Sequence, residues 1–310
     1  MEQKPSEQSE NTEPARLVDA ELVMHTVNTV LKPIVKEQKR QHNFGRLKFY
    51  LFIAFFVGVL GINFYAEDLY KTFTLKSDYV ALVRLDGEIM PGSPASPEAI
   101  NPLLEHAFAD KTAKGVILQI NSPGGTPVAA GEIRDRILSL REEYPDKEFV
   151  VVGGDYMTSG AYLIATGGNI LYSNQASLVG SIGVIIRTFG YNEIAKKAGV
   201  ERRIINAGDK KNQFDSFLPL ENKDKRKIER QLGIVHKQFI AQVQESRGAR
   251  LKVKDYPGLF SGDYWTGDEA LKMGLIDGNM TLATASMKHF DTTRYRIFAQ
   301  RKPLLGNILG

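Results

Sequence analysis

Cysteine is absent from the 310-residue chain. That absence excludes disulfides, thiolate-bound metals and a cysteine nucleophile together. It says nothing of compartment, because a domain of this size closes a core without cross-links. Histidine is scarce. His25, His42, His106, His236 and His289 are the whole complement, and none stands in a context that reads as part of a catalytic triad, so each is expected at the surface or in the core. No motif for RNA or DNA recognition is present. The formal net charge of +4 is spread along the chain, with much of the basic excess beside one apolar run. That distribution suits anionic lipid headgroups better than a nucleic-acid stripe. No internal repeat is visible, so a single unit is expected rather than a fused pair.

The apolar run is FYLFIAFFVGVLGINFYA, Phe49 to Ala66, eighteen residues without a charge. At about 1.5 Å per residue it just spans a bilayer core of about 30 Å, and it reads as a transmembrane helix. Lys36, Lys39, Arg40, Arg46 and Lys48 precede it, while Glu67 and Asp68 follow. The positive-inside tendency therefore sets the N-terminal side in the cytosol and everything after Asp68 outside it. A cleaved signal peptide fits less well, since the run starts far from Met1 and lacks a small-x-small site. The expected order begins with a disordered, cytosolic Glu-, Gln-, Ser- and Pro-rich tail over 1–14. An amphipathic basic segment follows over 15–48, in which Leu17, Val23, Val27, Val30, Leu31 and Ile34 recur at near-helical spacing with a break near Pro33. The span over 49–66 then leads into one extracytoplasmic domain over 67–310.

Beyond the span, strand-like and helix-like stretches alternate. YVALVRLDGEI (79–89), GVILQIN (115–121) and FVVVGG (149–154) read as apolar strands; helices are predicted over about 97–109 and 128–143, from Thr158, and over about 220–247. Continuous apolar strands separated by helices predict a parallel α/β sheet buried on both faces. Two of the strand-to-helix turns have the residues for chemistry. In NSPGGTP (121–127) paired glycines leave backbone N–H groups uncovered and admit a substrate backbone closely, as an oxyanion hole requires. A purely structural Gly-Gly turn is the other reading, and the lysine of a phosphate-cradling loop is missing. In DYMTSGAYLIA (155–165) Ser159 starts a helix of small and apolar residues. Its Oγ is either a nucleophile favoured by the positive end of the helix or an N-cap shared with Thr158.

INSPGG, MTSGAY, SLVGSIGV (177–184) and YWTGDEALKMGLID (264–277) occur in that order. Together they resemble the signal peptide peptidase A family of membrane-anchored serine peptidases, over about Tyr79 to Asp277. The resemblance implies an α/β, Clp-protease/crotonase-like fold of repeated ββα units, preceded by one transmembrane helix. It implies Ser159 as nucleophile, the Gly124–Gly125 turn as oxyanion hole, and a lysine about fifty residues past the serine as general base. That lysine falls in INAGDKKNQF (205–214), where Lys211 matches the family spacing from Gly208 and Lys210 is its neighbour. Two features depart from the family pattern: SGAY stands where SGGY is usual, and the residues around the lysine are polar. A lysine acts as base only when neutral, which needs an apolar pocket that desolvates the ammonium. Gly180, Ser181, Ile182 and Gly183 are expected to line the substrate cleft, with strand backbone that pairs an extended peptide; a buried turn is the alternative. Trp265, Gly267, Ala270, Gly274 and Asp277 read as packing at the domain end. No metal or cofactor is implied.

The function these readings imply is a bacterial inner-membrane serine endopeptidase with a Ser159/Lys211 dyad, its N-terminus cytosolic and its catalytic domain periplasmic. Its substrates would be remnant signal peptides or other extended apolar peptides. The resemblance also implies a homo-oligomeric ring with active sites at subunit contacts, so the expected partners are peptide, bilayer and further copies, and no nucleic acid. Other readings stay open: a related periplasmic quality-control peptidase, a catalytically silent membrane scaffold, and acyl-CoA chemistry on the same fold, which an extracytoplasmic location disfavours.

Overall fold

The computed structural model describes residues 24–25, 27–32, 36, 48–58, 78–208 and 210–299, in the units Met1–Lys76 and Ser77–Gly310. In the first unit, Val27–Leu31 form a π-helical stretch. Residues 48–58 form a helix with exposed side chains. No helix among the described residues is long and apolar enough to cross a membrane. The expected tail over 1–14, most of the segment over 15–48 and residues 59–66 of the expected span lie outside the described residues.

The second unit is a mixed α/β fold on a mostly parallel sheet. Strand β1 (Val80–Asp86), helix α1 (Pro97–Ala109), β2 (Val116–Ser122), α2 (Pro127–Glu143), β3 (Phe149–Thr158) and α3 (Gly160–Ala165) alternate along the chain. Both α1 and α2 begin on a proline, whose fixed φ and missing N–H cost nothing at a helix start. Next come β4 (Ile170–Ser173) and β5 (Leu178–Gly180), then the short α4 (Asn192–Lys197) and the long α5 (Asn222–Arg247). The unit closes with β6 (Tyr264–Thr266), α6 (Gly267–Met273), β7 (Gly278–Asn279), α7 (Leu282–Phe290) and β8 (Tyr295–Phe298).

The sheet runs β6-β5-β3-β2-β1-β8, with β4 also on β3 and β7 on β4. β1, β2 and β3 are parallel neighbours, registered Leu82 to Ile117 and Ile117 to Val150. Period-two alternation divides their side chains between two clusters. Val83, Leu85, Leu118, Ile120 and Val151 pack with residues of α1, α2, α3 and α5, whereas Val80, Leu82, Ile117, Val150 and Val152 pack with Ala285 and Phe290 of α7. Both faces are buried, as continuous apolar strands predict. Each such side chain contributes about 1.5–3 kcal/mol on burial, which makes these three strands the rigid base of the domain.

Candidate active site

The chemistry-bearing turns lie at the carboxyl ends of β2 and β3. The strand FVVVGG does not stop at its glycines: β3 continues to Thr158. The pairing of β2 with β3 shifts register between Ile120 and Ser122, and Ser122 then pairs with Met157. Asn121 Oδ1 accepts the Tyr156 amide at that irregularity (3.1 Å), so a backbone group the bulge would leave open is satisfied. β3 shares one edge between two short strands, β4 along Val150–Val152 and β5 along Tyr156–Thr158. The extension carries the chain directly into Ser159.

Ser159 has φ 53° and ψ −126°, and its side chain makes no cap hydrogen bond to α3. A non-glycine residue with positive φ at a strand-to-helix turn costs about 1–3 kcal/mol and persists only where its surroundings impose it. Here the Ser159 amide donates to Gly180 O (2.7 Å) and its carbonyl accepts from Leu163 N (3.0 Å). The backbone is held at both ends while the hydroxyl has no partner among the described residues, which disfavours the N-cap reading. Since α3 has only six residues, its dipole is small, and local amides are the stronger source of positive potential.

Those amides come from the glycine turn and from α3. Gly124 has φ +103°, and a Cβ there would stand 2.7 Å from Ser159 Cβ and 2.8 Å from Gly160 N. A Cβ on Gly125 would stand 1.8 Å from Ile89 O. Only glycine fits either place. The loop after β1 fixes the turn, with Ile89 N donating to Gly124 O (2.9 Å) and Thr126 N donating to Ile89 O (2.8 Å). The Gly124 amide donates to Ser122 Oγ (3.1 Å), so of the expected pair only Gly125 offers a free N–H. The second free amide is that of Gly160, whose own Cβ would lie 3.3 Å from Gly125 N. Neither the Gly125 nor the Gly160 amide has an acceptor among the described residues. Sequence reading missed Gly160; its position right after the serine is the signal that points to it.

Ser159, Gly125 and Gly160 open into a cleft of about 670 Å³. Pro127, Val128 and Gly131 of α2 form one wall and Val235, Gln238, Phe239 and Gln242 of α5 the other, with Leu163 and the Gly183–Ile185 segment between them. Buried Arg134 of α2 donates to Thr166 Oγ1 (3.1 Å) and to Glu245 of α5 (3.2 Å), which ties the two walls together. The wall from α5 was not singled out from the sequence, because its residues lie far along the chain in a helix of mixed polarity.

The four expected substrate-binding residues part company. Gly180 holds Ser159, and β5 is paired on both sides, by β3 and by antiparallel β6. Ser181 donates its amide to Asp263 O (2.7 Å) and its Oγ to Gly262 O (3.2 Å). Ile182 is fully buried, and its carbonyl accepts from His236 Nε2 (2.9 Å). Of the four, only Gly183 lines the cleft, and the unpaired backbone that follows starts there. Lys210 and Lys211 are exposed in the turn after Gly208. No lysine lines the Ser159 cleft among the described residues.

The far end of the domain bears out the packing reading of the last motif. A Cβ on Gly267 would stand 2.0 Å from Asn174 O, and one on Gly274 1.7 Å from Arg250 O. Fully buried Arg247 donates both terminal nitrogens to Asp277 (2.9 Å each) and Nε to Gly274 O (3.1 Å). Asp277 also accepts the Leu171 amide (2.8 Å). Burial alone would raise the Asp277 carboxyl, but the bonds from Arg247 and Leu171 and the nearby Arg250 charge outweigh it and hold the group below the usual carboxylate range.

A strained, uncapped serine between a strand and a helix, with free amides beside it and an apolar cleft in front, has the layout of an acyl-transfer site. Residues 142–292, just under half of the chain, match the model of peptidase family S49, as the motif resemblance implied. Over 236 residues it is 39% identical to a protein of Brucella melitensis named Na(+)/H(+) antiporter NhaA, a match covering 74% of this chain and 32% of that protein. It thus spans about a third of that relative's length. A putative protease of Methanocaldococcus jannaschii is 28% identical over 214 residues, covering 69% of this chain and 67% of the relative. Among solved structures, a mutant of the 1510-N membrane-bound stomatin-specific protease aligns with a TM-score of 0.45 at 16% identity, over 73% of this chain and 100% of that one.

Proposed function

We propose that the chain is a membrane-anchored serine endopeptidase acting on extended apolar peptides, remnant signal peptides among them. The observation that carries this reading is Ser159: a strained backbone, an unused hydroxyl and the neighbouring free amides of Gly125 and Gly160. Ser159 Oγ attacks the scissile carbonyl carbon, a C–O bond forms, and the oxyanion accepts hydrogen bonds from Gly125 and Gly160. Lys211, neutral, takes the serine proton and returns it to the leaving amine as the C–N bond breaks; water then hydrolyses the ester by the same route. The peptide lies along the unpaired backbone from Gly183, as an added strand.

In this proposal Lys211 reaches Ser159 from a neighbouring copy. The lysine is exposed and absent from the cleft lining of its own chain, and the segment leading to it exposes Ile185, Ile186, Phe189, Ile194, Val200 and Ile205. So much apolar surface on one stretch suits an interface between copies. The finer architecture is the Clp-protease/crotonase type. Residues 49–66 form the membrane anchor, with the N-terminus cytosolic and the domain periplasmic.

Incubation of purified protein with signal peptides in detergent, comparing wild type with Ser159→Ala and Lys211→Ala, tests the proposal. Hydrolysis by wild type alone is the expected result; equal turnover by Ser159→Ala removes that residue from the mechanism.

A further inference from the structure

We infer, resting on the peptidase reading above, that Gly131 gauges the side chain this site accepts and leaves room for a bulky apolar residue on the acyl side of the scissile bond. Gly131 lies inside α2, where glycine weakens a helix relative to alanine. The fold does not demand it. Its φ is not positive, and a Cβ built on it meets nothing within 4 Å. The glycines around the serine are different, since a Cβ on Gly124, Gly125 or Gly160 would press on Ser159, Ile89 or Ala130.

What Gly131 borders is the cleft. It follows Pro127 by one helical turn on the face that lines the space beside Ser159, while Ala130, Ile133 and Ile137 point into the core. The opposite wall presents Val235 and Phe239 beside Gln238 and Gln242, with Leu163 and Val184 between, and among the described residues no charged side chain lines the cleft. In this inference the largely apolar space next to Ser159 is the subsite that the residue before the scissile bond enters, and a helix position without a side chain enlarges it. Leucine, methionine or phenylalanine fills that volume; alanine leaves it partly empty, and a charged residue finds no partner.

The test is a panel of peptides identical except for the residue before the scissile bond, read as kcat/KM for wild type, Ser159→Ala, Gly131→Ala, Gly131→Leu and Gly233→Ala. Wild type should favour leucine and phenylalanine over alanine. Gly131→Leu should lower the leucine-to-alanine ratio about 10- to 100-fold, and Gly131→Ala should shift it the same way by less. Gly233 in α5 also has open space around its missing Cβ but does not line the cleft, so Gly233→Ala should gain the same helix preference and leave the ratio unchanged. An active wild type whose ratio is unmoved in a natively melting Gly131→Leu overturns the inference. If Gly131→Leu does not fold, an unmoved ratio in Gly131→Ala overturns it equally. Wild-type activity no greater than that of Ser159→Ala sinks the peptidase reading itself, a distinct result.

Discussion

At Ser159 two residue-scale effects can be separated by mutation. Ser159→Ala removes one oxygen that makes no bond in the fold, so folding should be preserved while peptide hydrolysis falls by about three orders of magnitude or more, as covalent catalysis fails as a unit. Circular dichroism melts beside turnover assays check both halves. Gly124→Ala should do the reverse damage. Its φ of +103° and the 2.7 Å approach of Ser159 Cβ leave no room for a methyl group, so the turn must move, at about 1–3 kcal/mol of stability by denaturant titration, and activity drops with it. A stable, active Gly124→Ala would mean that the turn is not fixed against the serine. The local sequence exposed the serine and the paired glycines because a strand, a short turn and small residues are visible in one dimension. It could not weigh the N-cap reading against the nucleophile reading, since the N-cap reading turns on a backbone angle and an unmade hydrogen bond.

At the scale of elements, the strands with uninterrupted apolar runs and the helices between them were legible, and α1 lies where spacing placed it, Pro97–Ala109. The extension of β3 to Thr158 was not, because its glycines look like a stop while Asn121 supplies the compensating bond from another strand. Short β6, β7 and β8 are too brief to have a period of their own; they are set by pairing with partners distant in sequence. The long helix α5 was visible, but its two tertiary tasks were not. One is to wall the cleft. The other is to end in Arg247, which clamps Asp277. Removing one member of a buried ion pair leaves the other uncompensated, so Arg247→Met should cost about 3–5 kcal/mol in denaturant unfolding. The pair also sets an acid limit. An unfolded aspartate titrates at about 3.9, and the folded Asp277 value lies below the usual one. Its stabilisation is therefore complete above about pH 4 and fades as pH falls through the lower folded value. Asp277→Asn should flatten that acid limb of the stability curve; an unchanged acid limb would mean that other carboxylates, such as Asp110, whose value is also lowered, dominate it.

At the scale of the whole molecule, the proposed dyad needs a second copy, because no lysine lines the Ser159 cleft among the described residues. A head-to-tail contact between copies, repeated around a ring, would bring the exposed Lys211 of one subunit to the Ser159 cleft of the next and cover the apolar side chains between Ile185 and Ile205. Such an arrangement predicts complementation. Ser159→Ala subunits keep the lysine, and Lys211→Ala subunits keep the serine. When the two are dissociated, mixed in equal amounts and reassembled at random, about one contact in four joins an intact serine to an intact lysine, so activity should recover to about a quarter of wild type although each parent is inactive. Lys210→Ala in either background should change little. Size-exclusion and crosslinking of differently tagged subunits verify that mixed assemblies have formed. If those verified assemblies remain as inactive as the parents, the dyad is contained within one chain, and the shared site is wrong even where Ser159→Ala proves the serine essential.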